Sequence, residues 1–105
     1  MATELIGGKE LEVDDEGFMT DPSQWSEELA PALGKEIGLD ELTDEHWKVI
    51  RFLRSDFEAQ GETATLRRVS TMADVSTKDL YKLFPKKPAK KMSYVAGLQK
   101  PTGCV

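Results

Sequence analysis

One long helix signal in the middle of the chain sets the scale of the fold. Thr43 is a good N-cap residue, and the acidic Asp44 and Glu45 that follow it suit the positive end of a helix. Gly61 is a suitable stop. Apolar residues recur at helical spacing between these signals: Trp47, Val49, Ile50, Leu53 and Phe57. The pattern predicts a helix over 44–60, and a chain of 105 residues has room for one small domain around it.

Signals for smaller elements lie on both sides of this helix. Residues 5–13 alternate apolar and charged side chains around Gly7 and Gly8, which predicts a β-hairpin. Pro31 interrupts a helical pattern over 22–37 and predicts two short helices there. Further short helices are predicted at 65–73, from Ser76 to Pro85, and around 88–95. The sequence therefore predicts a mainly α fold with a small N-terminal β-hairpin.

The carboxyl-terminal end of the chain has a different character. Proline and glycine residues interrupt it, and no apolar periodicity is present after Gly97. We therefore expect a helical domain over 1–96 and a mobile arm over 97–105. The arm carries the only cysteine, Cys104, next to Gly103, which removes side-chain bulk beside the sulfur. A lone thiol of this kind is either exposed and reactive or an accidental surface group.

The composition excludes several classes of site. One cysteine and one histidine cannot supply the roughly four ligands of a structural zinc ion, so no metal and no cofactor are expected. No apolar run approaches the roughly 20 residues that span a bilayer, and the first residues do not form a signal peptide. We expect a cytoplasmic protein without membrane insertion.

Charge is divided unevenly along the chain. Residues 1–62 carry five basic and seventeen acidic side chains, whereas residues 63–105 carry nine basic and two acidic ones. This asymmetry predicts that the second part meets an anionic partner. Attraction between the two parts, or a solvated lysine face, is the alternative. The candidate docking residues are basic: Lys86, Lys87, Lys90, Lys91, Lys100 and Arg67.

Three segments resemble one known family. Residues 100–105 (Lys-Pro-Thr-Gly-Cys-Val) resemble the carboxyl-terminal signature of the DsrC/TusE family. Residues 80–85 (Leu-Tyr-Lys-Leu-Phe-Pro) resemble the segment before that arm, and residues 42–47 (Leu-Thr-Asp-Glu-His-Trp) resemble its central helix. The resemblance extends over nearly the whole chain. It implies an orthogonal helical bundle with an N-terminal hairpin, a helix-turn-helix-like pair and a flexible C-terminal arm.

The resemblance also implies a function. In this family the penultimate cysteine, here Cys104, holds sulfane sulfur as a persulfide and passes it between partner proteins. The implied donors and acceptors are of the TusBCD/MnmA type, which lead to tRNA thiolation, or a dissimilatory sulfite reductase. Gly97, Pro101 and Gly103 would shape the arm, and Arg67 matches a family arginine that would help to hold it. A sulfurtransferase-type carrier is therefore expected rather than a stand-alone catalyst.

Several positions depart from the family pattern, and Ser93 and Lys87 are two of them. One branch of the family uses a second arm cysteine eleven residues before the penultimate one, and this chain has Ser93 there. Because a hydroxyl cannot form S–S bonds, an intramolecular trisulfide is excluded and a TusE-like, single-cysteine relay is favoured. The Thr-Gly-Cys-Val ending is more DsrC-like, so both subtypes stay open. Lys87 stands where the family usually has glycine.

A regulatory role is the alternative interpretation of the same fold. Residues 65–84 fit a helix-turn-helix whose second helix would place Lys78 and Lys82 in a DNA groove, with the thiol as a redox sensor. Against DNA binding, this helix lacks the arginine, asparagine and glutamine side chains that pair with bases, and the acidic part of the chain repels phosphate. The other prominent side chains are predicted to be structural: Trp25, Trp47 and His46.

Overall fold

The computed structural model describes residues 2–100, and the predictions for Pro101, Gly103 and Cys104 lie outside the described residues. Two strands, β1 (Ala2–Ile6) and β2 (Lys9–Val13), form an antiparallel hairpin. A 3₁₀ turn, Pro22–Gln24, then precedes the helices α1 (Ala30–Glu36), α2 (Asp44–Gln60), α3 (Leu66–Met72), α4 (Thr77–Leu83) and α5 (Pro88–Val95). No helix within this range is long and apolar enough to cross a membrane. The predicted fold class, mainly α with a small N-terminal hairpin, is confirmed.

The hairpin forms where the sequence predicts it. Gly7 and Gly8 make the turn with φ angles of 59° and 80°, which residues with a side chain adopt only under strain. Leu11 and Val13 of β2 are buried, while the residue between them is exposed. Both pack in a small core that includes Leu33 of α1. The hairpin is therefore stabilised by burial against a helix, as an isolated two-stranded hairpin would be only marginally stable.

Helix α2 has the predicted bounds because both of its ends are locally specified. His46 Nδ1 accepts the backbone N–H of Thr43 at 3.0 Å, and Thr43 Oγ1 accepts the backbone N–H of His46 at 3.5 Å. Gly61 follows the helix with a φ of 78°. Because Nδ1 of His46 is an acceptor, Nε2 carries the proton and donates to the Leu83 carbonyl at 2.7 Å. His46 thus joins the start of α2 to the end of α4, which is the structural role predicted for it.

The position of Pro31 corrects the prediction for the segment 22–37. Pro31 lies in the first turn of α1, where the missing N–H breaks no helical hydrogen bond. The interruption falls instead at residues 25–29, between the 3₁₀ turn and α1. Two short helical segments are present, as predicted, but Pro31 begins the second one instead of separating them.

Helix α5 lies against several other helices and leads into the predicted arm. It contacts α1, α2 and α4, and its Met92 and Val95 side chains are fully buried. Helices α3 and α4 also contact each other and are joined through a turn at Asp74, which has a φ of 57°. They form the predicted helix-turn-helix-like pair. Because α5 contacts three other helices, it fixes where the chain leaves the bundle.

Candidate functional site

The chain leaves α5 through a glycine turn. The N–H of Gly97 donates to the Tyr94 carbonyl at 3.1 Å, and the N–H of Leu98 donates to the Ser93 carbonyl at 3.0 Å. This hydrogen-bond pattern is that of a Schellman motif, and Gly97 has the left-handed φ of 71° that the motif requires. Leu98 is only 1% exposed. The turn therefore returns the chain to the core instead of releasing it into solvent.

Trp25 and Arg54 hold this turn from the side, and we call these two side chains the arm clamp. The Trp25 indole N–H donates to the Val95 carbonyl at 2.8 Å, and Arg54 donates to the Ala96 carbonyl at 2.7 Å. The Arg54 guanidinium lies 4.2 Å from the centroid of the Trp25 ring, which is a cation–π contact. A Cβ atom at Gly97 would lie 2.4 Å from Trp25 Cδ1. Hydrogen bonds and close packing therefore fix the turn together.

Arg54 connects three parts of the chain. Besides its bond to Ala96, it donates to the Pro22 carbonyl at 3.0 Å, so one side chain on α2 bridges the 3₁₀ turn and the end of α5. Partial burial lowers the pKa of Arg54, and the carboxylate of Glu58 opposes that shift. An arginine side chain nevertheless stays charged in proteins. Its bonds to the two carbonyls are therefore charge-assisted and stronger than those of a neutral donor.

The next two residues also contact the domain. The Thr63 hydroxyl donates to the Gln99 carbonyl at 2.8 Å, and Lys100 Nζ lies 3.2 Å from Glu16 Oε1. This ion pair is partly exposed, so we expect it to contribute less than about 1 kcal/mol. The described part of the predicted arm thus contacts the domain throughout, and mobility stays a prediction for the residues beyond Lys100.

Ser93, at the position of the missing second thiol, belongs to the core. Its side chain is fully buried, and its hydroxyl donates to the Ala89 carbonyl one turn earlier at 2.8 Å. Its own carbonyl accepts the N–H of Leu98. A side chain at position 93 therefore has a structural role in α5 and no access to a partner protein in this conformation.

Four of the predicted docking lysines lie on α5 and in the turn before it, while Lys100 lies beyond the helix. Lys86 and Lys87 are exposed in that turn, with left-handed φ angles of 59° and 51°. Glycine adopts such angles without strain, which gives a physical reason for the glycine that the family usually has at position 87. Lys90 and Lys91 are half-buried on α5, and Lys91 Nζ donates to the Pro85 carbonyl at 2.5 Å. Their docking role stays a prediction.

Arg67 and its neighbour Arg68 have different surroundings. Arg67 is exposed on α3, and it is not among the described side chains that donate to residues 95–100. Arg68 donates from Nη2 to Oδ1 of the buried Asp56 at 2.7 Å, and from Nε to Oδ2 at 2.9 Å and to Oδ1 at 3.1 Å. This pairing raises the pKa of Arg68. Arg68 therefore ties α3 to α2. A role of Arg67 in holding the arm stays a prediction for the part beyond Lys100.

A shallow groove of about 340 Å³ lies beside residues 95–100, which we call the arm base. Tyr94 lines it and meets the Phe18 ring edge-on, with 6.0 Å between the ring centroids. Burial, with two nearby carboxylates, raises the pKa of Tyr94 to about 12, so its hydroxyl stays protonated at neutral pH. Glu16, Lys90 and Lys91 line the same groove, which therefore adjoins the arm base. The described part of the chain holds no group of three or more side chains arranged to bind a metal ion.

Similarity to known proteins covers almost the whole chain. The sequence profile of the family described as "DsrC like protein" matches residues 5–105. The chain belongs to the DsrC-like family. The resemblance seen in the sequence is thereby confirmed.

Three relatives of this DsrC-like chain show how close the similarity is. It is 42% identical to "Sulfurtransferase TusE" of Escherichia coli (strain K12), over 96% of this chain and 98% of the relative. It is 40% identical to the oxidized gamma-subunit of the dissimilatory sulfite reductase (DsrC) from Archaeoglobus fulgidus, with a TM-score of 0.79 over 99% of this chain and 100% of that chain. The Pyrobaculum aerophilum DsrC/gamma subunit is 36% identical, with a TM-score of 0.80 over 99% and 95% of the two chains. None of the three is named as a regulator or a DNA-binding protein.

The spacing of residues in the sequence does not predict the contacts that hold the arm base of this DsrC-like protein. The sequence places Trp25 in the core and indicates no role for Arg54 or Thr63, whereas all three bind the arm base. Trp25 and Val95 are 70 positions apart, and a contact between such remote residues is not encoded in local spacing. The role of Gly97, in contrast, is indicated by the sequence, because a glycine just after a helix is typical of a C-terminal cap.

Proposed function

We propose that Cys104 is the sulfur-carrying residue of this protein and that it works in a TusE-like, single-cysteine mode. By its family the chain is a sulfur-relay protein, since its relatives are named as TusE sulfurtransferases and DsrC subunits. One observation carries the assignment to Cys104. The chain is anchored as far as Lys100, and the only thiol in the sequence follows four residues later.

The chemistry requires one thiolate and no further group on the protein. The Cys104 thiolate attacks the outer sulfur of a donor persulfide, RSSH, which forms the Cys104 persulfide and releases the donor thiolate, RS⁻. In the second step an acceptor thiolate attacks the outer sulfur of the Cys104 persulfide, and the Cys104 thiolate leaves. Each step forms one S–S bond and breaks another, so no oxidant is consumed. The protein is a carrier that ends each cycle unchanged.

The anchor at Lys100 limits how far the sulfur can travel. An extended chain covers roughly 3.3–3.6 Å per residue, so Cys104 lies within about 14 Å of Lys100. A donor or an acceptor must therefore bring its own pocket to this end of the protein. Basic side chains would assist that docking by attraction to an acidic partner surface. The proposed docking residues are Lys86, Lys87, Lys90, Lys91, Lys100 and Arg67.

The state of Ser93 supports a relay with one thiol. Its hydroxyl is buried and bonded within α5, so position 93 offers neither a sulfur atom nor access. An intramolecular trisulfide cannot form. The proposed partners are therefore sulfur donor and acceptor proteins of the TusBCD/MnmA type, in cytoplasmic tRNA thiolation. A dissimilatory sulfite reductase is the second candidate partner, because the similarity to DsrC structures is as extensive.

Replacement of the gene in its own host tests this proposal. Cys104→Ala is expected to reduce the thiolated wobble uridine of tRNA to background, measured by mass spectrometry of nucleosides. Ser93→Ala is the control, and it is expected to leave thiolation unchanged because it keeps the sulfur. Loss of sulfite reduction in Cys104→Ala, with normal tRNA, would assign the chain to the reductase instead. If Cys104→Ala changes neither activity, the proposal is wrong.

A further inference from the structure

We propose that Trp25 and Arg54 are positioning residues for sulfur transfer: they fix the point from which the arm extends, so that Cys104 is presented at one face of the domain. The inference rests on the proposed role of Cys104. Neither side chain is expected to touch the sulfur. Both act on the residues that join α5 to the arm.

The end of α5 is buried, so its last carbonyls need hydrogen-bond partners within the protein. The glycine turn closes part of this end with backbone N–H donors, and Val95 and Ala96 are both fully buried. Here two side chains from remote segments donate to the carbonyls of Val95 and Ala96. One of these donors is a charged, partly buried guanidinium, which desolvation disfavours unless its bonds compensate. The arrangement therefore constrains the direction of the chain after α5 as well as the end of the helix.

Packing constrains the same direction independently of these hydrogen bonds. The Trp25 ring leaves no space for a Cβ atom at Gly97, and Leu98 is buried in the main core. The following contacts place Gln99 beside Thr63 and Lys100 beside Glu16. The arm therefore starts from a defined point between the α2–α3 connection and the loop after β2.

Loss of the arm clamp would lengthen the tether that carries the sulfur. With the clamp, the tether from Lys100 to Cys104 has four residues, and a chain released as far back as Gly97 would have a tether of seven. The spread of a flexible chain grows with the square root of its length, so Cys104 would sample a region about 1.3-fold wider. The effective concentration of the sulfur at a docked partner's pocket falls with roughly the −3/2 power of length, which gives a decrease of about 2.3-fold.

A nitroxide label on Cys104 measures the sampled region without any partner. Broadening of backbone amide signals in NMR spectra of the labelled full chain reports which residues the label visits. In the wild type we expect broadening around Thr63 and Glu16. In Arg54→Ala and in Trp25→Phe, which keeps a ring and loses the N–H donor, we expect the broadened region to extend further, up to the roughly 1.3-fold limit of complete release from Gly97 onward. An unchanged pattern in both variants would overturn the proposal.

Arg51→Ala is the matched control for these variants. Arg51 lies one turn before Arg54 on α2, and its guanidinium is 5.5 Å from the Trp47 ring in an exposed position. The control removes the same charge from the same helix, and its broadening pattern is expected to match that of the wild type. If Arg51→Ala widens the pattern as much as Arg54→Ala does, general loosening is the cause and the proposal fails. If a thermal melt shows that Arg54→Ala does not fold, the milder Trp25→Phe decides.

Transfer measurements separate this inference from the assignment of Cys104. Loading with inorganic polysulfide is expected to be unchanged in Arg54→Ala, because a small reagent reaches the thiol in any direction. Thiolation of tRNA in the host is expected to fall in Arg54→Ala, by at most about 2.3-fold, and to stay unchanged in Arg51→Ala. If Cys104→Ala leaves both transfer activities intact, the proposed function fails whatever the label shows. Equal thiolation in Arg54→Ala, Trp25→Phe and the wild type would contradict the positioning role alone.

Discussion

The two ends of α5 are built in opposite ways. The carboxyl-terminal end is closed by a glycine turn and by Trp25 and Arg54, which come from distant parts of the chain. The amino-terminal end has no side-chain cap, and Lys86 and Lys87 before it hold left-handed backbone angles that suit glycine better. Hydrogen bonds from remote side chains therefore fix the backbone at the end of α5 from which the arm extends.

The difference follows from what each end has to do in a carrier. Under the proposed role of Cys104, the arm must start from a fixed point for the sulfur to meet a partner's pocket, whereas Lys86 and Lys87 only have to keep their charges in solvent. A residue with a side chain in the left-handed region costs about 1–2 kcal/mol, and Pro88 offsets part of this cost because its φ is already helical. Substitutions at the carboxyl-terminal end of α5 are therefore expected to lower stability, whereas a substitution at Lys87 can raise it.

Gly97→Ala should give the largest effect on stability. The new Cβ would lie 2.4 Å from Trp25, and alanine would have to hold a φ of 71°. Overpacking and strain together are expected to lower the free energy of unfolding by about 3 kcal/mol, measured by urea denaturation. Gly38→Ala is the control, because Gly38 has a φ of 89° and a Cβ added there would meet nothing within 4 Å, so we expect a loss of about 1 kcal/mol. Equal losses would contradict the close packing against Trp25.

Lys87→Gly should act in the opposite direction at the other end of α5. Glycine holds a φ near 51° without strain, so the free energy of unfolding is expected to rise by about 1 kcal/mol. Lys87→Ala removes the same charge and keeps the strain, and is therefore expected to change stability by less than about 0.5 kcal/mol. Urea denaturation of both variants checks this. A glycine variant no more stable than the alanine variant would show that the turn is not strained.

Ser93→Cys tests the interior of α5, between its two ends. The new side chain would take the place of a fully buried hydroxyl, so iodoacetamide is expected to modify only Cys104 in the native protein and both positions in urea. Peptide masses identify the modified positions. Because one neutral hydrogen bond to Ala89 is weakened, the loss of stability is expected to stay near 1 kcal/mol or less. Rapid native modification at position 93 would contradict its burial.

Lys100→Ala should give the smallest change. Its ion pair with Glu16 is partly exposed, so the free energy of unfolding is expected to fall by less than about 0.5 kcal/mol, and the difference should vanish at high salt. Glu16→Gln breaks the same pair and should behave alike. A loss above about 1 kcal/mol in either variant would mean that this ion pair, and not the arm clamp, is the main anchor of the arm base.

Local signals predicted most of the elements but not the contacts between them. Helix α2 has the predicted bounds because Thr43 and Gly61 specify its ends within a few residues. Pro31 misled the prediction because a proline both ends one helix and begins the next, and spacing alone does not distinguish the two. Tertiary packing determines that Pro31 lies at the start of α1 and does not end a helix.

The candidate site was predictable only where its signal is local or comes from the family. The importance of Cys104 and of Gly97 can be inferred from the sequence, because one is the only thiol and the other follows a helix. Arg54 lies among other charged residues on α2, and nothing in the spacing distinguishes it from Arg51. Only the packing of α2 against α5 brings Arg54, and not Arg51, to the Ala96 carbonyl.

The most direct test of the central claim is the mass of the intact protein after exposure to a sulfane-sulfur donor such as inorganic polysulfide. We expect an added mass of about 32 Da, one sulfur atom, on the wild type, its removal by a thiol, and no addition to Cys104→Ala. An equal addition to Cys104→Ala, or a folded wild-type chain that accepts no sulfur, would contradict the claim.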